Sequence, residues 1–304
     1  MLGMVDPQGR DDGTGLVAQA SLQALRELGV PVQCFAPGRL RDRAPQEATE
    51  AVRAAGVTHF FTVGCELAGP EEADCLTALE AAGVRVGWWI VDEPRIGGWS
   101  VRHSPRCSFC FTHAAESVAR HRAAGARIAF LPLAADPRAT LPDPPDAPGR
   151  AGVCFVGRVN HPLRERLVAE LPRRFPFAHR QDVTDPGEVA RLYRRAAVSL
   201  DAPGWCEAPG VADGVGQRLF AIAVAGGCAL TPARPGLEDL FQPDREVAVY
   251  RGFDELCAQI ERCLAAPQER LRLARAAHDR ARRDHAMAGR MARMLACLAP
   301  GKSW

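Results

Sequence analysis

The sequence predicts an α/β protein of two tandem, doubly wound parallel-sheet domains. Three observations carry this. Short β-rich runs alternate with Gly-ended helical runs from the N-terminus to "ARIAFLPL" (126–133). The stretch "ADPRATLPDPPDAPGRAG" (135–152) is rich in Pro, Asp and Gly and has no apolar periodicity, as a linker would. The alternation then restarts at "VCFVG" (153–157). The predicted boundaries are therefore 1–140 for the first domain, 141–151 for the linker and 152–304 for the second.

In the first domain "MLGMV" reads as a strand. "GLVAQASLQALRELG" has apolar residues at helical spacing and stops at Gly29. "VPVQCF" is a strand, "EATEAVRAAG" a helix, "HFFTVG" a buried strand, and "EEADCLTALEAAG" a helix closed by Gly83. "VRVGWWIV" and "CSFCFTH" are strands. "AAESVARHRAAG" is a helix and "ARIAFLPL" the last strand. Runs apolar on both faces indicate a parallel sheet covered on two sides.

In the second domain "VCFVG" and "AVSLDA" are strands, with helices "HPLRERLVAELPRRF" and "PGEVARLYRRA" between them. "GQRLFAIAVAGG" is a helix, "CALT" and "EVAVY" are strands, and "FDELCAQIERCLA" is a helix. The run from Pro267 to Leu298 reads as one long closing helix, with Pro suited to its first turn. Both domains are Rossmann-like in this reading. Such sheets bind ligands outside the carboxyl ends of their strands, so two of them facing each other predict a cleft.

Composition narrows the function. The 304 residues are 47% hydrophobic, enough for two cores. A net charge of +2 argues against wholesale electrostatic capture of nucleic acid or anionic lipid, and the lack of a long apolar run against stable membrane insertion. The basic face of the closing helix leaves room for peripheral contact with a membrane surface. Lys302 is the only lysine, so any phosphate contact falls to arginines, which hold oxyanions through paired hydrogen bonds. The 11 cysteines are scattered among apolar residues and read as buried thiols of a reducing compartment. The "CSFC" pair, Cys107 and Cys110, lacks the second pair that a zinc site wants, so no metal is expected. "MLGMVDPQGR" has no basic segment followed by an apolar run, and no stretch approaches a membrane span; a cytoplasmic location is expected.

Several turns at strand ends carry candidate chemistry. "DPQGRDDGTG" holds Gly13 and Gly15 at a helix start, where backbone amides can take a phosphate, but the third glycine of a dinucleotide fingerprint is missing. "VGRVNHPLR" places Arg158 directly after a strand and Arg164 at the start of the next helix, a seat for a pyrophosphate. "WWIVDEP" ends a strand on Asp92 and Glu93, with Pro94 breaking the chain. A carboxylate there faces the ligand side of the sheet and would act as base, or simply cap the turn. His103 and His113 flank that region as alternative bases. Of Trp88 and Trp89, alternation lets only one face a ligand.

"VGWWIVDEP", "AFLPLAADP", "VCFVGRVNHPLRERL" and "RLFAIAVAGGCALTPARPGLEDLF" stand in the order found in CgeB-like glycosyltransferases, and this sequence resembles that family. The resemblance covers residues 84–298 well and the first 80 in pattern only. It implies the GT-B architecture, a nucleotide diphosphate sugar as donor and a glycan, protein or small molecule as acceptor. It also implies no cofactor or metal, retention of anomeric configuration, and a closing helix that packs back across the first domain. It further implies a loop carboxylate on the donor sugar and a helix carboxylate on the ribose. In "DGVGQRLFA" the first is Asp213, with Gly214 and Gly216 beside it. The second position is Ala221, so the ribose carboxylate is missing. Glu238 in "GLEDLF" is a candidate substitute. Arg218 would reach the diphosphate or pair with Asp213. Ala221 also supports the alternative of a non-catalytic, nucleotide- or glycan-binding relative that partners an active transferase.

Overall fold

A computed structural model describes the chain except residues 9–12, 37–43, 65–69, 92, 142–148, 203–213 and 299–304, and except the side chains of 13, 70–73, 93–97 and 298. The chain divides into two compact units, Met1–Pro132 with Ala288–Trp304, and Leu133–Met287. The sequence-based linker, 141–151, lies C-terminal to this division, and 142–148 of it fall outside the described residues.

The first unit runs β1 (Leu2–Val5), α1 (Gly13–Glu27), β2 (Val32–Phe35), α2 (Pro45–Ala54), β3 (His59–Val63), α3 (Pro70–Ala81), β4 (Arg85–Ile90), α4 (Glu93–His103), β5 (Phe109–Thr112), α5 (Ser117–Ala123) and β6 (Ile128–Phe130). The described strands form one parallel sheet in the order β2-β1-β3-β4-β5-β6. Phe60, Phe61, Trp88, Trp89, Phe109 and Phe111 are buried in it. The near-continuous apolar runs thus serve a sheet covered on both faces.

The second unit runs β7 (Ala151–Val156), α6 (Pro162–Glu170), β8 (Phe177–Arg180), α7 (Pro186–Arg195), β9 (Ala196–Leu200), α8 (Gln217–Val224), β10 (Ala229–Pro232), α9 (Leu237–Leu240), β11 (Ala248–Tyr250), α10 (Phe253–Ala265) and α11 (Pro267–Asp284). Its sheet is parallel too, in the order β11-β10-β9-β7-β8. The starts of α6 and α7 follow from their sequences. His161 accepts from the Leu163 amide and Asp185 from the Glu188 amide, each just before a proline at the first helical position.

Three readings of the sequence need correction. The long closing helix is two: α11 ends at Asp284 and α12 (Met287–Leu298) follows. The break falls where Ala135 and Ala286 pair as a β-bridge: Ala135 donates to His285, and Met287 donates to Ala135. There the Met287 amide bonds to Ala135 instead of to the preceding turn. Glu93 does not end a strand; it opens α4, and Pro94 sits in that helix's first turn, where its missing N–H costs nothing. β8, "FAHR", was not read as a strand at all. It is the sheet's edge, alternately half-buried and exposed, so its signal is short and weak.

Candidate functional site

The second sheet reverses its strand order between β7 and β9, since β8 follows β7 on one side and β9 lies on the other. The carboxyl ends of strands flanking such a reversal are where doubly wound sheets bind ligands. At the end of β7 the chain turns through Gly157, at φ +155°. A β-carbon there would lie 2.6 Å from an Arg218 guanidinium nitrogen and 3.2 Å from the Phe155 ring, so the turn requires glycine. This explains the "VGR" sequence: glycine makes room for one arginine and sends the chain on to the next.

Four arginines gather at this edge. Arg158 follows the turn and is exposed. Arg164, in the first turn of α6, donates from Nε to the Ala202 carbonyl (2.9 Å), and from one terminal nitrogen to the Arg158 carbonyl (3.1 Å) and to Asn160 Oδ1 (2.9 Å). Arg218, in the first turn of α8, donates from Nε to Val156 (2.8 Å) and from a terminal nitrogen to Ala202 (2.9 Å). It thereby clamps the ends of β7 and β9 together across the reversal. Both guanidinium groups lie over Phe155, at 5.9 and 5.1 Å from its centroid. Arg234, just beyond β10, has a side chain only 4% exposed, which donates to Asp201 Oδ2 at 2.8 Å.

Asp201, directly after β9 and 1% exposed, is the buried counter-ion of this cluster; Arg218 stands 3.6 Å from its other oxygen. Thr231 donates to it (2.9 Å). Arginine charge thus exceeds carboxylate charge among the described residues at this edge, which favours an oxyanion. The start of α8 points the same way: its N-cap is Gly216, with no side-chain cap among the described residues, and helix N-termini attract anions. The environment also acts on groups behind the sheet. Burial pushes the Cys154 thiol up to about 11 and the Tyr193 phenol well above its ordinary value, so both are neutral packing groups.

The other predicted residues fall as follows. Asp92 and Asp213 lie outside the described residues, as does the side chain of Glu93. Gly214 and Gly216 stand just before α8. Ala221 is half-buried, one turn along α8 from Gln217 and Arg218. Glu238 is exposed in the single turn of α9. Gly13 and Gly15 lie in the first turn of α1, at the strand-order reversal of the first sheet, between β1 and β3. His113 follows β5 and is buried, its Nδ1 3.4 Å from the Ile90 carbonyl. His103 closes α4, stacked 4.5 Å from Trp99, and burial lowers its pKa first, with Arg106 and Arg102 adding to the shift. Trp88 and Trp89 are both core: their indoles donate to Gly64 (2.6 Å) and Leu131 (3.0 Å). Cys107 and Cys110 are buried as well, and among the described residues no three metal-binding side chains converge. No described helix is long and apolar enough to cross a membrane.

Sequence reasoning missed Asp201 and Arg234. A signal was present, for each comes within two residues of a strand's carboxyl end, in "SLDA" and "LTPAR".

Two parallel-sheet α/β units in tandem make the GT-B architecture of glycosyltransferases. Residues 156–296 match the model of a family described as glycosyl transferase-like, a span that begins at the end of β7 and contains all four arginines. The fold is similar over 98% of both chains to Anabaena HepE, solved with UDP and glucose, at 12% identity and a TM-score of 0.68. It is similar over the same shares to sucrose-phosphate synthase from Thermosynechococcus elongatus, at 12% identity and a TM-score of 0.69. A glycosyltransferase from Rickettsia africae is 9% identical over 97% of both chains, at a TM-score of 0.63. No curated protein sequence matches the chain.

Proposed function

We propose that this protein is a CgeB-like glycosyltransferase that moves a sugar from a nucleotide diphosphate sugar to an acceptor engaged by the first unit. The observation that carries the reading is the arginine cluster at the strand-order reversal of the second sheet. The glycosyl transferase-like match over the same residues supports it, and so does the likeness to a protein solved with UDP and glucose.

In this reading Arg158 and Arg164 hold the donor diphosphate, with the amides that open α8. Asp213, Gly214 and Gly216 line the sugar. Arg218 keeps the two strand ends together beneath them. As the glycosidic bond breaks, negative charge grows on the leaving diphosphate. Guanidinium groups and helix amides already aimed at it stabilise that charge without a metal ion. Asp92 or Glu93 orients the acceptor hydroxyl, and the anomeric configuration is retained.

Calorimetric titration with UDP, GDP and ADP in metal-free buffer tests the reading. At least one should bind, and Arg158→Ala with Arg164→Ala should weaken it by about tenfold to a hundredfold, or about 1.4–2.8 kcal/mol. No binding by the wild-type protein would sink the donor assignment.

A further inference from the structure

Arg234 differs from Arg158 and Arg218 of the cluster in having a side chain almost wholly out of solvent. A phosphate arriving from water would meet Arg158 or Arg164 first. Yet its N–H groups are committed in an ordered way: to Asp201 Oδ2 (2.8 Å), to Thr231 Oγ1 (3.3 Å) and, from the other terminal nitrogen, to the Gly214 carbonyl (3.4 Å). Its Nε meets no acceptor among the described residues.

Asp201 is itself fixed on every side. Its amide donates to Leu230 (2.8 Å), its carbonyl accepts from the Tyr250 hydroxyl (3.1 Å), and Thr231 holds the carboxylate. A buried ion pair is a poor way to gain stability, because desolvation offsets much of the attraction; such pairs are better understood by the geometry they impose.

Here that geometry ends on Gly214, two residues before the N-cap of α8. Two of the three residues from 214 to 216 are glycines, with no side chain to set the path, and Val215 packs between them. Arg218, two residues past the cap, is tied to Val156 and Ala202. The segment is therefore pinned at Gly214 by one arginine and at Arg218 by another, and the amides between them are held in one direction.

We propose that Asp201 and Arg234 are a positioning pair for the donor diphosphate: the carboxylate fixes the guanidinium, and the guanidinium fixes the Gly214 carbonyl and so the aim of the amides that open α8. Thr231 completes the pair by bonding both partners. Neither charged residue touches the donor. The inference rests on the donor reading above.

The test is Arg234→Lys, with Thr231→Val and Thr231→Ser beside it. A lysine keeps a cation against Asp201 but cannot span both the carboxylate and the Gly214 carbonyl. Affinity for UDP, GDP and ADP is measured by calorimetry, and unliganded melting temperature in parallel. Arg234→Lys should weaken the diphosphate that the wild type binds by about tenfold, and Thr231→Val by about threefold, while the unliganded fold stays intact. Thr231→Ser, which keeps the hydroxyl, should restore wild-type affinity. Lower melting temperatures with unchanged affinities would make the pair a mere structural tie and overturn the inference, leaving the donor reading standing. Absence of binding by the wild-type protein would overturn the donor reading itself, and this inference with it.

Discussion

The two sheets finish differently at their carboxyl edges. Among the described residues of the first unit, three ring side chains near the strand ends meet main-chain carbonyls: the indoles of Trp88 and Trp89 donate to Gly64 and Leu131, and His113 lies 3.4 Å from the Ile90 carbonyl. In the second unit the ends of β7, β9 and β10 are held by guanidinium groups bonded to carbonyls and to one buried carboxylate. Indole N–H groups satisfy main-chain carbonyls. Charged closure does the same and leaves a positive field besides. Among the described residues, clustered guanidinium groups thus stand at the second edge, the one suited to an oxyanion.

Removing the buried carboxylate should have the largest effect. Asp201→Ala strands Arg234 without its counter-ion and should cost about 3–5 kcal/mol in urea unfolding, as one-sided loss of a buried ion pair does. It should also reduce diphosphate affinity. Trp88→Phe makes the contrasting change in the first unit. It keeps most of the ring but leaves the Gly64 carbonyl without its donor, for about 1–3 kcal/mol. Its diphosphate affinity should equal that of the wild type. If it does not, the edges are not functionally distinct. Gly157→Ala is subtler, because its β-carbon must push Arg218 aside; a loss of about 1–2 kcal/mol with weaker binding is expected, read by thermal unfolding and calorimetry.

The two sheets and part of the charged edge were legible in the sequence. The strand–helix rhythm gives both parallel sheets, and "VGRVNHPLR" places two of the four arginines beside the correct strand. What was not legible depends on tertiary partners. α4 contains "IGG", a poor helix by propensity, and is held by Trp99 packing edge-on against Trp88 at 5.4 Å. The split between α11 and α12 depends on a bridge to Ala135, distant in sequence. Arg218 offered Asp213 as a partner by proximity in sequence. Asp213 lies outside the described residues; among those described, Arg218 pairs with Asp201, which neighbours it because β9 lies next to β7. Charge pairing across strand ends follows from sheet order, and sheet order is not written locally.

The smallest expected effect concerns acid. His278 on α11 is buried, and its Nδ1 donates to the Val224 carbonyl (2.8 Å), the last residue of α8. Burial lowers its pKa from 6.5, outweighing the backbone bonds that favour the charged form. Between the lowered folded value and about 6.5, the unfolded chain binds more protons than the folded one, so stability rises with pH in that window. The contribution is fully present above about pH 6.5 and is lost as pH falls through the folded value. His278→Asn keeps an N–H donor but does not titrate, so its melting temperature should depend less steeply on pH between about 5 and 6.5. Because Val224 ends the helix in whose first turn Arg218 lies, diphosphate affinity should weaken over the same window in the wild type and stay flatter in the variant. An equal acid loss in both proteins would locate the titrating group elsewhere; His103 in the first unit, lowered by its own burial, would be the next residue to replace.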